Sequence, residues 1–248
     1  LSILDLDNRS SQPMHSKDDE YTFMHNGEIY NYLELKEKFF KNISFNTKSD
    51  TEVFFKLWQK KGESCLNHLR GMYAFLVHER GKNKIYFGRD PLGIKPLYFS
   101  HNNSELVVSS ETNVFREIGF NDLNKNIIDE SLIFGSAGDD RTGLKNVKRC
   151  IPGYIYSFDL NTGDLKYTSA KESPDLKKKD HTYKITNKKD LIDIVESELI
   201  ETLRLHLRSD VGYSIQLSGG VDSSLLTALA TKITTINQKT FGLKIEDS

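Results

Sequence analysis

The feature that most constrains this chain is a change of hydrophobic period within its first 110 residues. Two helical stretches come first. Asn31 and Glu34 have capping-box spacing beside Leu33, Leu35 and Phe39, and a second helix begins at Ser49-Asp50 with Glu52 in its first turn. That second helix carries Val53, Phe54, Leu57 and Trp58 on one face and stops at Gly62. From Met72 the pattern switches to short strands at 72–78, 84–88, 97–99 and 106–109, punctuated by Gly, Asn and Pro. Pro152-Gly153 then turns into Tyr154–Phe158, and Asn161-Thr162-Gly163 is a hairpin turn into Leu165–Tyr167. Ahead of both helices, residues 21–30 alternate as a strand that breaks at Asn26-Gly27, a dipeptide that favours turns. Helices and strands segregated in this way predict an α+β domain with mostly antiparallel sheets.

Charge and composition exclude several classes. Lys+Arg is 34 against Asp+Glu 35, a net charge of -1, so no basic field draws in nucleic acid or an acidic membrane surface. No apolar run approaches the ~18 residues of a membrane span, and no secretory leader is present, which predicts a cytoplasmic protein. Cys65 and Cys150 are too few for a disulfide scaffold or a CxxC metal site, and the seven histidines lack zinc-like spacing. The chain opens on apolar Leu1, Ile3, Leu4 and Leu6 and closes on strand-like 240–245. Both ends read as cuts through an element.

The later residues form a second pattern. Residues 168–189 are polar, with Pro174 and a Lys177-Lys178-Lys179 run. They predict a first domain over 1–170, a linker over 171–187 and a second domain over 188–248. A helix runs from Lys188 to about Leu207, with Asn187 and Asp190 at cap spacing and Leu191, Ile194, Val195, Leu199 and Leu203 as its buried side. Then come a strand over Tyr213–Leu217, a loop Ser218-Gly219-Gly220-Val221-Asp222-Ser223-Ser224, and a helix opening at Leu225–Leu229. The two glycines free backbone N–H groups to face an anion. Ser218, Ser223 and Ser224 add hydroxyls, and the helix start adds its dipole. A phosphate fits there, although the loop lacks the GxxxxGK[ST] pattern.

In the first domain the chemistry-bearing residues have plain readings too. Asn26-Gly27-Glu28 offers an amide, a bare backbone N–H and a carboxylate, the parts of an oxyanion hole beside an acid, yet Asn-Gly alone is an ordinary turn. Asp50 reads equally as a helix N-cap. Arg89-Asp90, in the turn-rich loop Gly88–Gly93, reads as a structural pair.

Taken in order, LSILD, NGEIYNYLEL, SDTEV, LRGMYAFLVHE, GRDPLGIKPLY and PGYIYSFDLNTG resemble the class II glutamine amidotransferases, most of all the glutaminase half of the asparagine synthetases. The strand–SGGVDSS–helix resembles the pyrophosphate loop of the N-type ATP pyrophosphatases. The resemblance implies an N-terminal-nucleophile hydrolase sandwich (αββα) followed by the start of an α/β, Rossmann-like ATP pyrophosphatase domain. It implies that Leu1, Ser2, Ile3 and Leu4 line a glutamine pocket, that Asn26 and Gly27 form the oxyanion hole, and that Glu28 and Asp50 hold the α-ammonium. It places Leu217, Ser218, Gly219, Gly220, Asp222, Ser223, Ser224 and Leu243 at ATP, with Asp222 near Mg²⁺. The implied reaction converts aspartate, glutamine and ATP to asparagine, with ammonia passing through a tunnel. A homodimer is a further option, and neither nucleic acid nor membrane is a partner. Related synthetases that use another carboxylate acceptor, or an inactive glutamine-binding module, share the same architecture. The family nucleophile is an N-terminal cysteine, where this chain begins at Leu1. Cys65 and Cys150 read as packing residues, so the chain as it stands is expected to lack glutaminase activity. Asn113 stands where the family usually has lysine, and Lys244 where it usually has glycine.

Overall fold

The computed structural model describes residues 3–102, 104–170, 187–234 and 239–242. It divides into two compact units, Asp7–Pro174 with Leu1, and Asp175–Ser248 with Ser2–Leu6.

In the first unit, β1 (Met14–His15), β2 (Tyr21–Ile29), β3 (Gly71–Glu79) and β4 (Lys84–Arg89) form one antiparallel sheet. Helices α1 (Tyr32–Phe39) and α2 (Asp50–Lys61) lie between β2 and β3 in sequence. Strands β5 (Tyr98–His101), β6 (Leu106–Ser109) and β7 (Lys148–Arg149) make a smaller antiparallel sheet, with α3 (Asn113–Glu117) and α4 (Lys125–Phe134) between β6 and β7. Strands β8 (Tyr154–Asp159) and β9 (Leu165–Ser169) complete the larger sheet in the order β1-β2-β3-β4-β8-β9.

Period-two alternation sorts the side chains into layers. From β3, β4 and β8, Tyr73, Phe75, Val77, Tyr86 and Ile155 pack with Val53, Phe54, Leu57 and Trp58 of α2. Their neighbours Ala74, Phe87 and Tyr156 face the other way and pack with Leu97, Phe99 and Cys150. On the far side of the small sheet, Phe115 of α3 joins Leu144 and Val147 against Tyr98 and Val107. Helices, sheet, sheet, helix: this is the αββα sandwich.

Local differences from the sequence reading have physical causes. The strand does not break at Asn26-Gly27. It runs through to Ile29, because nine residues of β2 pair with β3 and the ladder outweighs the turn preference of the dipeptide. No capping box forms on α1. Asn31 instead spends its amide across the loop, donating to the His68 carbonyl at 2.9 Å and accepting the Arg70 N–H at 2.9 Å. Leu33 is exposed while Leu35 is buried. The cap of α2 is Ser49, whose hydroxyl accepts the Thr51 N–H at 3.1 Å, and Asp50 is the first helical residue. Cys65 is buried in a 3-10 turn over Gly62–His68.

The second unit contains α5 (Lys188–His206), β10 (Ser214–Gln216), α6 (Val221–Ile233) and β11 (Lys239–Phe241). β10 and β11 are parallel with α6 between them, a βαβ unit. The Asn187 side chain caps α5 by accepting the Asp190 N–H at 3.0 Å. Its expected buried side is only partly covered. Leu205 is buried, whereas Leu191 and Val195 are exposed, since the described residues offer only α6 and two short strands to pack on it. Helix α6 starts at Val221 rather than Leu225, so the loop is Ser218–Gly220 and Asp222, Ser223 and Ser224 lie in the first helical turn. Among the described residues no helix is long and apolar enough to cross a membrane.

Candidate active site

The first unit gathers its chemistry along the edge of β2 that faces away from β3. In an antiparallel ladder alternate residues turn their N–H and C=O outward. Gly27 stands opposite Tyr73, and both polar backbone groups of Tyr73 go instead to Asp90: its N–H to the carboxylate at 3.3 Å, its carbonyl to the Asp90 N–H at 2.8 Å. Gly27 therefore points its own N–H outward, as do His25 and Ile29. The neighbours are occupied. The Gln12 side chain accepts the His25 N–H at 2.5 Å and donates to the His25 carbonyl at 2.8 Å, and the Asp50 carboxylate accepts the Ile29 N–H at 2.7 Å. The Gly27 N–H between them has no acceptor among the described residues. Next along β2, the half-buried Asn26 side-chain amide donates to the Ser110 hydroxyl at 3.3 Å.

Gly27 also lets the strands meet. A β-carbon there would lie 2.0 Å from the Met72 carbonyl oxygen, and one on Gly71 would lie 2.1 Å from the Glu28 carbonyl oxygen. Beside Asn26, a cavity of about 340 Å³ opens, lined by apolar Met24, Ala74, Leu76, Leu97 and Val108 and by polar Gln12 and Ser110.

Two buried carboxylates converge at the end of β2. Burial pushes the Glu28 carboxyl up to about 7, with the Asp50 carboxylate adding to the rise and the Lys95 ammonium opposing it. Burial also raises Asp50, against the pull of the Ile29 N–H it accepts. No donor among the described residues reaches the Glu28 carboxylate. Its ordinary value is 4.5, so from there up to about 7 the folded protein holds this proton more tightly than the unfolded chain does. The stabilisation is complete at low pH and is lost as pH rises through about 7. Glu28→Gln, which cannot ionise, is expected to raise the thermal unfolding midpoint at pH 8 and leave it unchanged at pH 5. A variant less stable than the parent at pH 8 would contradict this.

Asp90, expected as half of a structural pair with Arg89, is instead bound to backbone groups. Fully buried, its carboxylate accepts the N–H groups of Tyr73, Leu92, Ile94 and Lys95 at 3.0–3.3 Å. Arg89 turns to the carbonyls of Gly93 and Lys95, each at 3.4 Å. The pair is structural, but through backbone groups.

Of the other residues named for this site, Leu1 and Ser2 lie outside the described residues, and Ile3 and Leu4 belong to the second unit, where the Ile3 carbonyl accepts the Asp210 N–H at 3.0 Å. In that unit Gly219 takes φ +81°, and the Ser218 and Ser223 hydroxyls pair at 3.0 Å across the loop. The cap residue of α6 is Gly220, with no side chain over the first-turn N–H groups, and Ser224 and Asp222 are exposed beside them. The Leu217 N–H donates to the Phe241 carbonyl at 2.8 Å, fixing the loop to β11, while Leu243 lies outside the described residues. Among the described residues no three His, Cys, Asp or Glu side chains converge as a metal cage. The single Asp222 carboxylate suits a Mg²⁺ carried in on phosphate oxygens, which needs only one or two protein ligands.

An outward backbone N–H and a side-chain amide thus lie beside paired carboxylates on an αββα sandwich. The glutamine amidotransferase domain family matches residues 1–168, and the chain belongs to that family; the asparagine synthase family matches residues 194–248. Asparagine synthetase [glutamine-hydrolyzing] 1 of Bacillus subtilis is 33% identical over 252 residues, covering 99% of this chain and 38% of that protein. Asparagine synthetase B [glutamine-hydrolyzing] of Escherichia coli is 31% identical, covering 94% and 36%. Amidase chyE of Penicillium rubens is 30% identical, covering 94% and 34%. The chain thus spans between 34% and 50% of the length of such relatives.

Proposed function

We propose that this chain is the glutamine-hydrolysing part, with the beginning of the ATP-using part, of an enzyme that moves glutamine's amide nitrogen onto a carboxylate, with aspartate as the acceptor and asparagine as the product. The observation that carries the reading is the vacant Gly27 N–H beside the Asn26 amide. When a nucleophile attacks the glutamine carboxamide, negative charge moves onto its oxygen, and two fixed donors stabilise it there. Glu28 and Asp50 receive the substrate's α-ammonium, a charge-assisted contact that requires them ionised. The apolar cavity beside Asn26 tolerates neutral ammonia, the released product, far better than ammonium. In the second unit, the loop Ser218–Gly220 and the first turn of α6 would hold ATP phosphates, with Asp222 toward Mg²⁺. A second reading keeps the same machinery with a different carboxylate acceptor; one relative of similar identity, Amidase chyE, carries a name other than asparagine synthetase.

The test is Asn26→Ala in the full-length protein. Losing one oxyanion donor is expected to lower glutaminase kcat by about 100-fold, ~3 kcal/mol in the barrier, with KM little changed. Asp50→Asn is expected to do the reverse and raise KM. A rise in KM alone for Asn26→Ala would refute the oxyanion role.

A further inference from the structure

A side-chain amide serves as a donor only when it is aimed. The terminal torsion of asparagine has broad wells, so an amide with nothing to hold it samples many orientations. The Asn26 amide is held from the other sheet: its Nδ2 donates to the Ser110 hydroxyl at 3.3 Å, 84 residues away in sequence. An amide nitrogen carries two N–H groups, so one bond to Ser110 does not consume the donor. Among the described residues the Ser110 hydroxyl has no hydrogen-bond partner other than Asn26.

Ser110 is itself fixed from both sides. It follows β6, whose last residue, Ser109, pairs with Tyr98 of β5. The Ser109 hydroxyl accepts the Glu111 N–H at 3.1 Å and closes a turn around Ser110. The chain then enters α3, anchored by the fully buried Phe115 against Tyr98 and Val107. Ser109, Ser110 and Asn26 all line the cavity between the sheets. The small sheet thus presents a hydroxyl at a set height to an amide carried by the large one.

As a staple between sheets this bond is minor, since Ala74, Phe87, Tyr156, Leu97 and Phe99 already pack across the same gap. Its larger effect is on orientation. A donor fixed before the reaction needs no reorganisation when charge develops in front of it. We infer that Ser110 is a positioning residue for the oxyanion hole: its hydroxyl holds the Asn26 amide where Nδ2 can meet the oxygen of an attacked carboxamide. The inference rests on the glutamine reading above and needs no contact between Ser110 and substrate.

Steady-state glutaminase kinetics of the full-length protein test it. Ser110→Ala is expected to lower kcat by about tenfold, the loss of one hydrogen bond, with KM within about twofold of the parent. Ser110→Thr keeps the hydroxyl and is expected to hold kcat within about threefold of the parent. In an Asn26→Ala background, Ser110→Ala is expected to change kcat by less than about twofold, because it acts only through the amide. Trp58 fluorescence, unchanged across the variants, checks that the first unit remains folded. A purely structural role gives another pattern, in which kcat and KM shift together and the two alanine substitutions multiply. Multiplied effects, a threonine variant as slow as the alanine one, or an alanine variant with parental kcat each overturn the inference. The glutamine reading survives any of these as long as Asn26→Ala is slow. If Asn26→Ala keeps the parental kcat, or the parent hydrolyses no glutamine, that reading fails and takes the inference with it.

Discussion

Gly27→Ala is expected to cost about 3 kcal/mol of stability, the upper end for overpacking a core, and so to lower the unfolding midpoint by about 6–12 °C. The added methyl would sit 2.0 Å from the Met72 carbonyl oxygen and 2.6 Å from the Tyr73 α-carbon, and both neighbours are backbone. Neither can rotate away as a side chain would. Relief requires moving β2 off β3 in the middle of a nine-residue ladder. The readout is built in: Trp58, the single tryptophan, is buried on α2 against Phe75 of β3, ring centroids 5.5 Å apart. Gly143→Ala, where the new methyl would make ordinary contact with Ile128 at 3.6 Å, is the control and should leave the midpoint unchanged. An unshifted midpoint for Gly27→Ala would show that the strands are not this close.

Asp222→Asn in the full-length protein is expected to reduce ATP-dependent pyrophosphate release by at least about 100-fold, because the carboxylate in the first turn of α6 loses the charge that a phosphate-borne Mg²⁺ needs. The fold should survive, since the side chain is exposed in the first turn and no packing depends on it. Glutamine hydrolysis on the same preparation should persist, as Asn26, Gly27, Glu28 and Asp50 lie in the first unit and Asp222 in the second. Full pyrophosphate release from the variant would remove the ATP reading. Release by the parent enzyme without stimulation by aspartate would keep the ATP chemistry and favour the second acceptor reading.

How much of the fold is legible in the sequence depends on the range of each interaction. The apolar stripe of α2 and the alternation of β3, β4 and β8 were legible because burial repeats at the element's own period. Asn26-Gly27 was misread as a turn because the dipeptide preference is local, while the pairing that overrides it comes from residues 71–79. The chemical role expected for those two residues needed the resemblance. The outward direction of the Gly27 N–H follows only from knowing that Tyr73 turns to Asp90. Asp90 and Gln12 went unrecognised for the same reason, since each acts on backbone groups brought close by folding. Helix α4 left little signal, since Leu132, Ile133 and Phe134 at its end are exposed and Ile127 alone is buried.

The outer edge of β2 carries one more consequence. Only two of its nine residues pair with β1, so no strand covers the rest of that edge, the geometry from which edge-to-edge aggregation grows. A site that needs one open N–H cannot bury the edge under another strand. Gln12 and Asp50 resolve the conflict by filling the positions on either side of Gly27 with side chains, which cannot propagate a ladder. An incoming strand finds one vacant rung flanked by two blocked ones, too short a foothold for intermolecular pairing, while a small amide needs no more than that single rung.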